Sequence, residues 1–300
     1  MKYADLHCDT PFRLYKNNAS LLNNDLHISL NKANCFEKYV QVAAIWSDYS
    51  LNDEDCYKKF FEIYDHFSAE AKNTIVKSSI ALKNNKNSFL LAIEDIRLIS
   101  NNLKKIYTFY DLGVRIATLT WRDISIIGGA WNTNTGLTDF GRECVETMLD
   151  IGIIPDVSHG SDRLLRDTAE IVKCKGKTFC ATHSNSRSVY DIPRNLSDEN
   201  AKIIADLGGV IGLSLYPNHI SSNIDNFGLL MHHIDHYLVL IGENSLCLGC
   251  DLDGVDSLPI GFSNITNIEK IYHLITKKYN ENIAEKILFT NAYNFLLNNI

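Results

Sequence analysis

The 300-residue sequence predicts an α/β fold: a closed (β/α)8 TIM barrel forming one domain over residues 1–300. Three observations predict it. Short apolar runs alternate with longer amphipathic stretches from end to end, which implies a parallel sheet wrapped by helices. An open dinucleotide-binding sheet needs a Gly-x-Gly-x-x-Gly turn after an early strand, and the pairs Gly128-Gly129 and Gly208-Gly209 stand alone. A barrel of ~250 residues with short additions accounts for the length without a second domain.

The elements follow in order. The predicted strands are Tyr3–Cys8, Val40–Trp46, Phe89–Glu94, Val114–Thr120, Ile153–Val157, Thr178–Thr182, Val210–Leu215 and Ser245–Cys250. Helical periodicity covers Asp53–Ser68, Gly141–Ile151, Asp198–Leu207 and Met231–Ile241. Ser197 or Asp198 supplies a cap for the third of these, and Gly208 closes it. Asp111-Leu-Gly and Asp150-Ile-Gly mark helix stops ahead of strands.

An apolar fraction of 45% with 22% charged residues excludes a disordered chain. Lys and Arg number 29 against 36 Asp and Glu, and the resulting net charge of −7 removes the electrostatic ground for binding nucleic acid or an anionic membrane. The first residues lack an apolar signal core, and no apolar run approaches the ~20 residues of a membrane span. A soluble, cytoplasmic protein is therefore expected. Its eight cysteines are expected as free thiols. Cys247-x-x-Cys250 lies in a strand, where a spacing of three sends the thiols to opposite faces, and it lacks the second pair of a zinc site.

In such a barrel the functional residues sit at the C-terminal ends of strands. There the sequence places Leu6-His7-Cys8-Asp9, Ile93-Glu94-Asp95, Ser158-His159, Thr182-His183 and Asp251-Leu252-Asp253. His7 and Asp9, two apart on a strand, face the same way. Imidazole nitrogen with carboxylate oxygen suits an ion of the zinc class, although an isolated His-x-Asp reads equally well as a satisfied strand end. Joined by His159 and His183, the set exceeds what one tetrahedral ion takes. Two ions sharing a carboxylate are predicted, with Glu94 the natural bridge. Asp251 can accept a proton from metal-bound water and return it to a leaving group. Its competing reading is turn chemistry, which is favoured at Asp253. His232, His233 and His236 lie on a helical pattern without the glutamate of a metalloprotease helix and read as surface or packing. His27, His66, His219 and His273 have no partner pattern. Ser158 and Ser184 lack a Gly-x-Ser-x-Gly elbow, which argues against a serine nucleophile.

These residues stand in one order with Leu112-Gly-Val-Arg115, Gly136-Leu-Thr-Asp-Phe-Gly141, Asp156-Val-Ser-His159, Thr182-His-Ser-Asn-Ser-Arg187, Arg194-Asn-Leu196 and Asp251-Leu-Asp-Gly254. The series resembles the renal (membrane) dipeptidase family of the amidohydrolase superfamily, from about residue 3 to the closing helix near Asn291. The resemblance implies a metal-dependent barrel that binds two zinc ions, with manganese as the alternative, and hydrolyses dipeptides, including those with a C-terminal D-residue. It implies His7 and Asp9 on the first ion, His159 and His183 on the second, and Glu94 between them. Asp251 matches the catalytic aspartate, and Arg194 matches the grip on the substrate's free carboxylate. The partner implied is a dipeptide; homodimers are common in the family, and no feature of this sequence marks an interface.

One departure stands out. Animal members carry a histidine after the Leu-Thr of the fourth strand, where this chain has Trp121. An indole donates one hydrogen bond but neither ionises nor ligates zinc, so Trp121, Arg122 and Asn132 are the candidates for its substrate contact. The departure leaves open a dinuclear amidohydrolase acting on another amide, an N-acyl amino acid or a lactone. A barrel that binds without turnover is the third reading.

Overall fold

The computed structural model describes residues 1–222 and 227–300. Its strands are β1 (Tyr3–Cys8), β2 (Tyr39–Trp46), β3 (Asn87–Glu94), β4 (Val114–Thr118), β5 (Ile154–Asp156), β6 (Ile211–Leu213) and β7 (Leu246–Leu248). All pair in parallel, in the order β5-β4-β3-β2-β1-β7-β6. The predicted strand Thr178–Thr182 does not form as a regular element. Lone parallel bridges, Asp156 with Cys180 and Ala181 with Ile211, instead set residues 180–181 between β5 and β6. Val157 N donates to Cys180 O at 2.9 Å and Ala181 N to Val210 O at 3.1 Å, so this short stave closes the curled sheet into the eight-membered ring.

The stave is short for a steric reason. A Cβ on Gly212 or Gly249 would stand 2.0 or 1.6 Å from the Thr182 carbonyl oxygen, so three backbones meet closer than any side chain allows. The Thr182 N–H has no ladder partner there and donates to the Asp156 carboxylate at 2.9 Å. The predicted ends of β4 and β7 are likewise trimmed, to Thr118 and Leu248, as the chain turns into rim loops.

Helices Asp53–Ala71, Lys104–Leu112, Asp139–Ile151, Asp162–Lys175, Asp198–Asp206 and Leu230–Ile241 surround the ring. Their ends follow local chemistry. Asn52, Thr138, Ser161 and Ser197 each accept an orphan backbone N–H in the first turn, and Gly113, Gly152 and Gly176 end helices in the left-handed region. One apolar layer, with Ala4, Leu6, Val40, Val42, Leu90 and Ile116, fills the ring and meets Phe295 and Leu296 of the closing helix Asn291–Asn299. The other packs strand residues such as Phe89, Leu91 and Leu213 against Phe60, Phe109, Val145 and Leu164 of the helices. Cys247 belongs to the inner layer and Cys250 to the outer, and all eight cysteines are free. No helix of the described residues is long and apolar enough to cross a membrane.

The first strand contains the irregularity that matters most for the site. Asp5 opposes Gln41, but Cys8 opposes Ala43, three residues against two. This bulge reverses the inside–outside phase: Ala4 and Leu6 face the inner layer, yet Cys8 belongs to the outer one. His7 is thereby turned to the mouth of the ring. The buried Asp5 carboxylate holds the distorted backbone, accepting from His7 N at 3.0 Å and from Cys250 N at 3.1 Å.

Candidate metal centre

The predicted donors converge. His7 Nε2 lies 3.7 Å from Asp9 Oδ2 and 3.7 Å from Glu94 Oε1. Glu94 Oε1 is also 3.0 Å from His159 Nε2 and 3.5 Å from His183 Nε2, and the two histidine Nε2 atoms approach to 2.8 Å. Among the described residues, two donor triples therefore share one carboxylate: His7, Asp9 and Glu94, and Glu94, His159 and His183. A third triple of His7, Asp156 and His183 is structural, because the Asp156 carboxylate already accepts from the Thr118 and Thr182 hydroxyls and the Ser158 and Thr182 amides.

That network selects a tautomer. The Thr182 hydroxyl gives its one proton to Asp156, at 2.6 Å, so at 2.8 Å it accepts from His183 Nδ1. His183 Nε2 then presents a lone pair to the cluster. The donor set also passes a test for a cation. His7 Nε2 and Asp9 Oδ1 are buried without a hydrogen-bond partner, a costly arrangement for polar atoms that a bound ion relieves.

Electrostatics point the same way. Burial, with Asp9 adding to it, pushes the Glu94 carboxyl up to about 8, and burial pushes Asp251 up to about 6. Burial and then Arg194 hold His159 well below the usual imidazole value; burial and then His7 do the same for His183, which keeps both neutral as ligands must be. Burial also pushes His7 down, but Glu94 and Asp9 outweigh it and hold that imidazole well above its usual value. The crowd of carboxylates lacks compensating positive charge at its centre.

The other predicted residues divide. Asp251 Oδ1 lies 3.9 Å from His7 Nε2, and Asp251 N donates to His7 O. Gly254 makes room for this pair of loops, since a Cβ there would meet Asp9 Oδ2 at 2.1 Å and Asp251 Oδ1 at 2.4 Å. His159 and Asp251 both hold left-handed backbone, φ 65° and 60°, a strain of about 1–3 kcal/mol per residue kept at the rim. Arg194 is buried: Nη1 donates to Ser184 Oγ at 3.2 Å and Nη2 to His183 O at 3.0 Å, while Nε has no partner. Asp253 is tied up with Thr10, His27 and Arg13. Asn132 is exposed and paired with Asp123, away from the cavity wall, whereas Trp121 and Arg122 line that wall.

The cavity above the donors measures about 840 Å³, and Asp9, Glu94, His159, Arg194 and Asp251 open onto it. Phe12, Trp46, Trp131, Tyr216 and His219 also line it, none of them marked by the sequence pattern. Their only signal was position: Trp46 ends β2, and the others lie in the segments that follow β1, β4 and β6.

A closed parallel ring with buried imidazole and carboxylate donors at its C-terminal rim defines a metal-dependent barrel of the amidohydrolase type. The chain belongs to the membrane dipeptidase family, peptidase family M19, whose model matches residues 1–296. It is 28% identical to dipeptidase 3 of Mus musculus, over 82% of this chain and 53% of that protein. It is 29% identical to an uncharacterised dipeptidase of Schizosaccharomyces pombe, over 72% of this chain and 52% of that one. The chain thus spans about half the length of these relatives. The fold matches the crystal structure of an M19 metallopeptidase, dipeptidase AC, at a TM-score of 0.90 with 21% identity, covering 100% of this chain and 98% of that one. It also matches a Rhodobacter sphaeroides metallopeptidase liganded with a phosphinate mimic of the dipeptide L-Ala-D-Ala, at 0.87 with 20% identity, covering 100% and 99%.

Proposed function

We propose that the chain is a dinuclear zinc dipeptidase whose substrates include dipeptides with a C-terminal D-residue. The observation that carries this reading is the pair of donor triples sharing Glu94 beneath a cavity that also holds Asp251 and Arg194. His7 and Asp9 would hold one ion, His159 and His183 the other, and Glu94 both. Ions bound there supply an activated water and a polarised scissile carbonyl.

The chain's own residues do the rest. Arg194, which lines the cavity, pairs its guanidinium with the substrate's free carboxylate, the guanidinium plane being fixed by Ser184 and the His183 carbonyl. Asp251, facing the cluster from the β7 loop, takes the proton released as the water attacks and returns it to the departing amine. Buried His159 and His183 stay neutral and oriented. A cavity of about 840 Å³ suits a small molecule, and the dipeptide mimic carried by the Rhodobacter sphaeroides neighbour supports a dipeptide of L-D type. Substrates lacking a free carboxylate are disfavoured here, because they would leave the buried Arg194 guanidinium without an anionic partner.

The test is turnover of a panel of L-L and L-D dipeptides by zinc-restored protein. Hydrolysis that a chelator abolishes and zinc restores is expected; inactivity on every member with zinc bound overturns the reading.

A further inference from the structure

The cavity has two unlike halves. Phe12, Trp46, Trp121 and Trp131 wall one of them, so all three tryptophans of the chain face a single space. Three of these rings, with Tyr49 behind them, form a chain of contacts. Phe12 meets Trp46 edge-on at 5.5 Å, Trp46 meets Trp121 edge-on at 5.4 Å, and Tyr49 backs Trp121 at 5.8 Å. The Trp121 ring lies 6.1 Å from that of His159, so the wall reaches the donor cluster.

Phe12 follows β1, Trp46 ends β2, and Trp121 and Trp131 follow β4. Arg194 follows the 180–181 stave, and Tyr216 follows β6. In the ring order that stave stands across from β2, with the donors between. A peptide gripped at its carboxylate by Arg194, with its scissile bond over the donors, therefore carries its N-terminal residue toward the indoles.

We propose that the Phe12–Trp46–Trp121–Trp131 wall is a subsite for a large apolar side chain on the N-terminal residue of the substrate, so that aromatic or leucine-like residues are preferred there over alanine. The proposal rests on the dipeptidase reading above. Its physical basis is area. A benzyl group seated against the indoles is stripped of water over most of its surface, whereas a methyl group leaves the wall wet. A difference of this size in an apolar pocket gives about tenfold or more in affinity.

The experiment is calorimetric binding of two phosphinate dipeptide mimics to the zinc-loaded full chain. Both end in D-Ala; one carries a benzyl and the other a methyl group at the N-terminal position. The benzyl mimic is expected to bind about tenfold tighter or more and to produce the larger change in tryptophan emission. Trp121→Ala is expected to shrink the affinity ratio several-fold, and Trp121→Phe to keep most of it. Equal affinities, or a ratio unchanged in folded Trp121→Ala protein, overturn the subsite and leave the dipeptidase reading standing. Failure of both mimics to bind overturns both readings.

Discussion

At the scale of single residues, the division of labour around the cluster yields two sharp tests. In the proposed reaction Asp251 moves the proton, and it lies outside both donor triples. Asp251→Asn is therefore expected to lower kcat by about 10²–10⁴ while zinc content stays at that of the parent, measured by steady-state kinetics and metal analysis together. Thr182 is not part of the cavity wall but accepts the hydrogen bond from His183 Nδ1. Thr182→Val is expected to weaken zinc binding by about 10–100-fold in a competition titration, and an unaltered affinity would remove the tautomer argument. The donors were legible in the sequence because imidazoles and carboxylates at strand ends are few and their chemistry is specific. Trp131 and His219 were not, since lining a cavity depends on how rim loops fold back, which no local spacing encodes; Trp46 stands at a predicted strand end, but an indole is no metal donor and nothing else marks it. Asn132 shows the converse: its side chain is suited to a substrate, but the nearby Asp123 N–H and carboxylate take it first.

At the scale of elements, helix Leu230–Ile241 ties the rim to the body through His233. Its Nδ1 accepts from Ser186 N at 3.1 Å, and Nε2 donates to Ile220 O at 2.9 Å, with the ring fully buried. Burial lowers its pKa from 6.5 to about 4. Between those values the unfolded chain binds a proton that the folded chain refuses, so stability falls as pH drops through this window. Denaturant unfolding from pH 7 to 4.5 is expected to show a shallower loss for His233→Gln than for the parent, by up to ~1.4 kcal/mol per pH unit. Most element types and positions followed from periodicity and caps, and β1 has the bounds expected of it. The stave at 180–181 did not follow. Thr-Phe-Cys-Ala-Thr reads as a strand, and what shortens it is the approach of Gly212 and Gly249, residues far along the chain. The bulge that aims His7 is hidden for the same reason, being a register between two strands.

At the scale of the whole molecule, the fold gathers donors from β1, β3, β5 and the 180–181 stave, and thus makes stability depend on what fills the cluster. Zinc at about a hundred times its Kd adds ~2.7 kcal/mol if the unfolded chain binds none, which raises the melting temperature by roughly 5 °C. Scanning calorimetry with zinc and then with excess chelator should show that rise and its reversal; a melting temperature indifferent to both would mean that the donors hold no ion. The lone bridges beside His183 give this linkage a location. They are a thin joint in the ring, one bridge on each side, and His183 stands just past them, its ring 3.8 Å from that of His7 on β1 and 4.8 Å from that of His159 beyond β5. A cation seated among those rings works as a rivet through the joint. Opening of the empty barrel should begin there, with amide protons around residue 182 exchanging early, and loading should seal that door before it stiffens anything else.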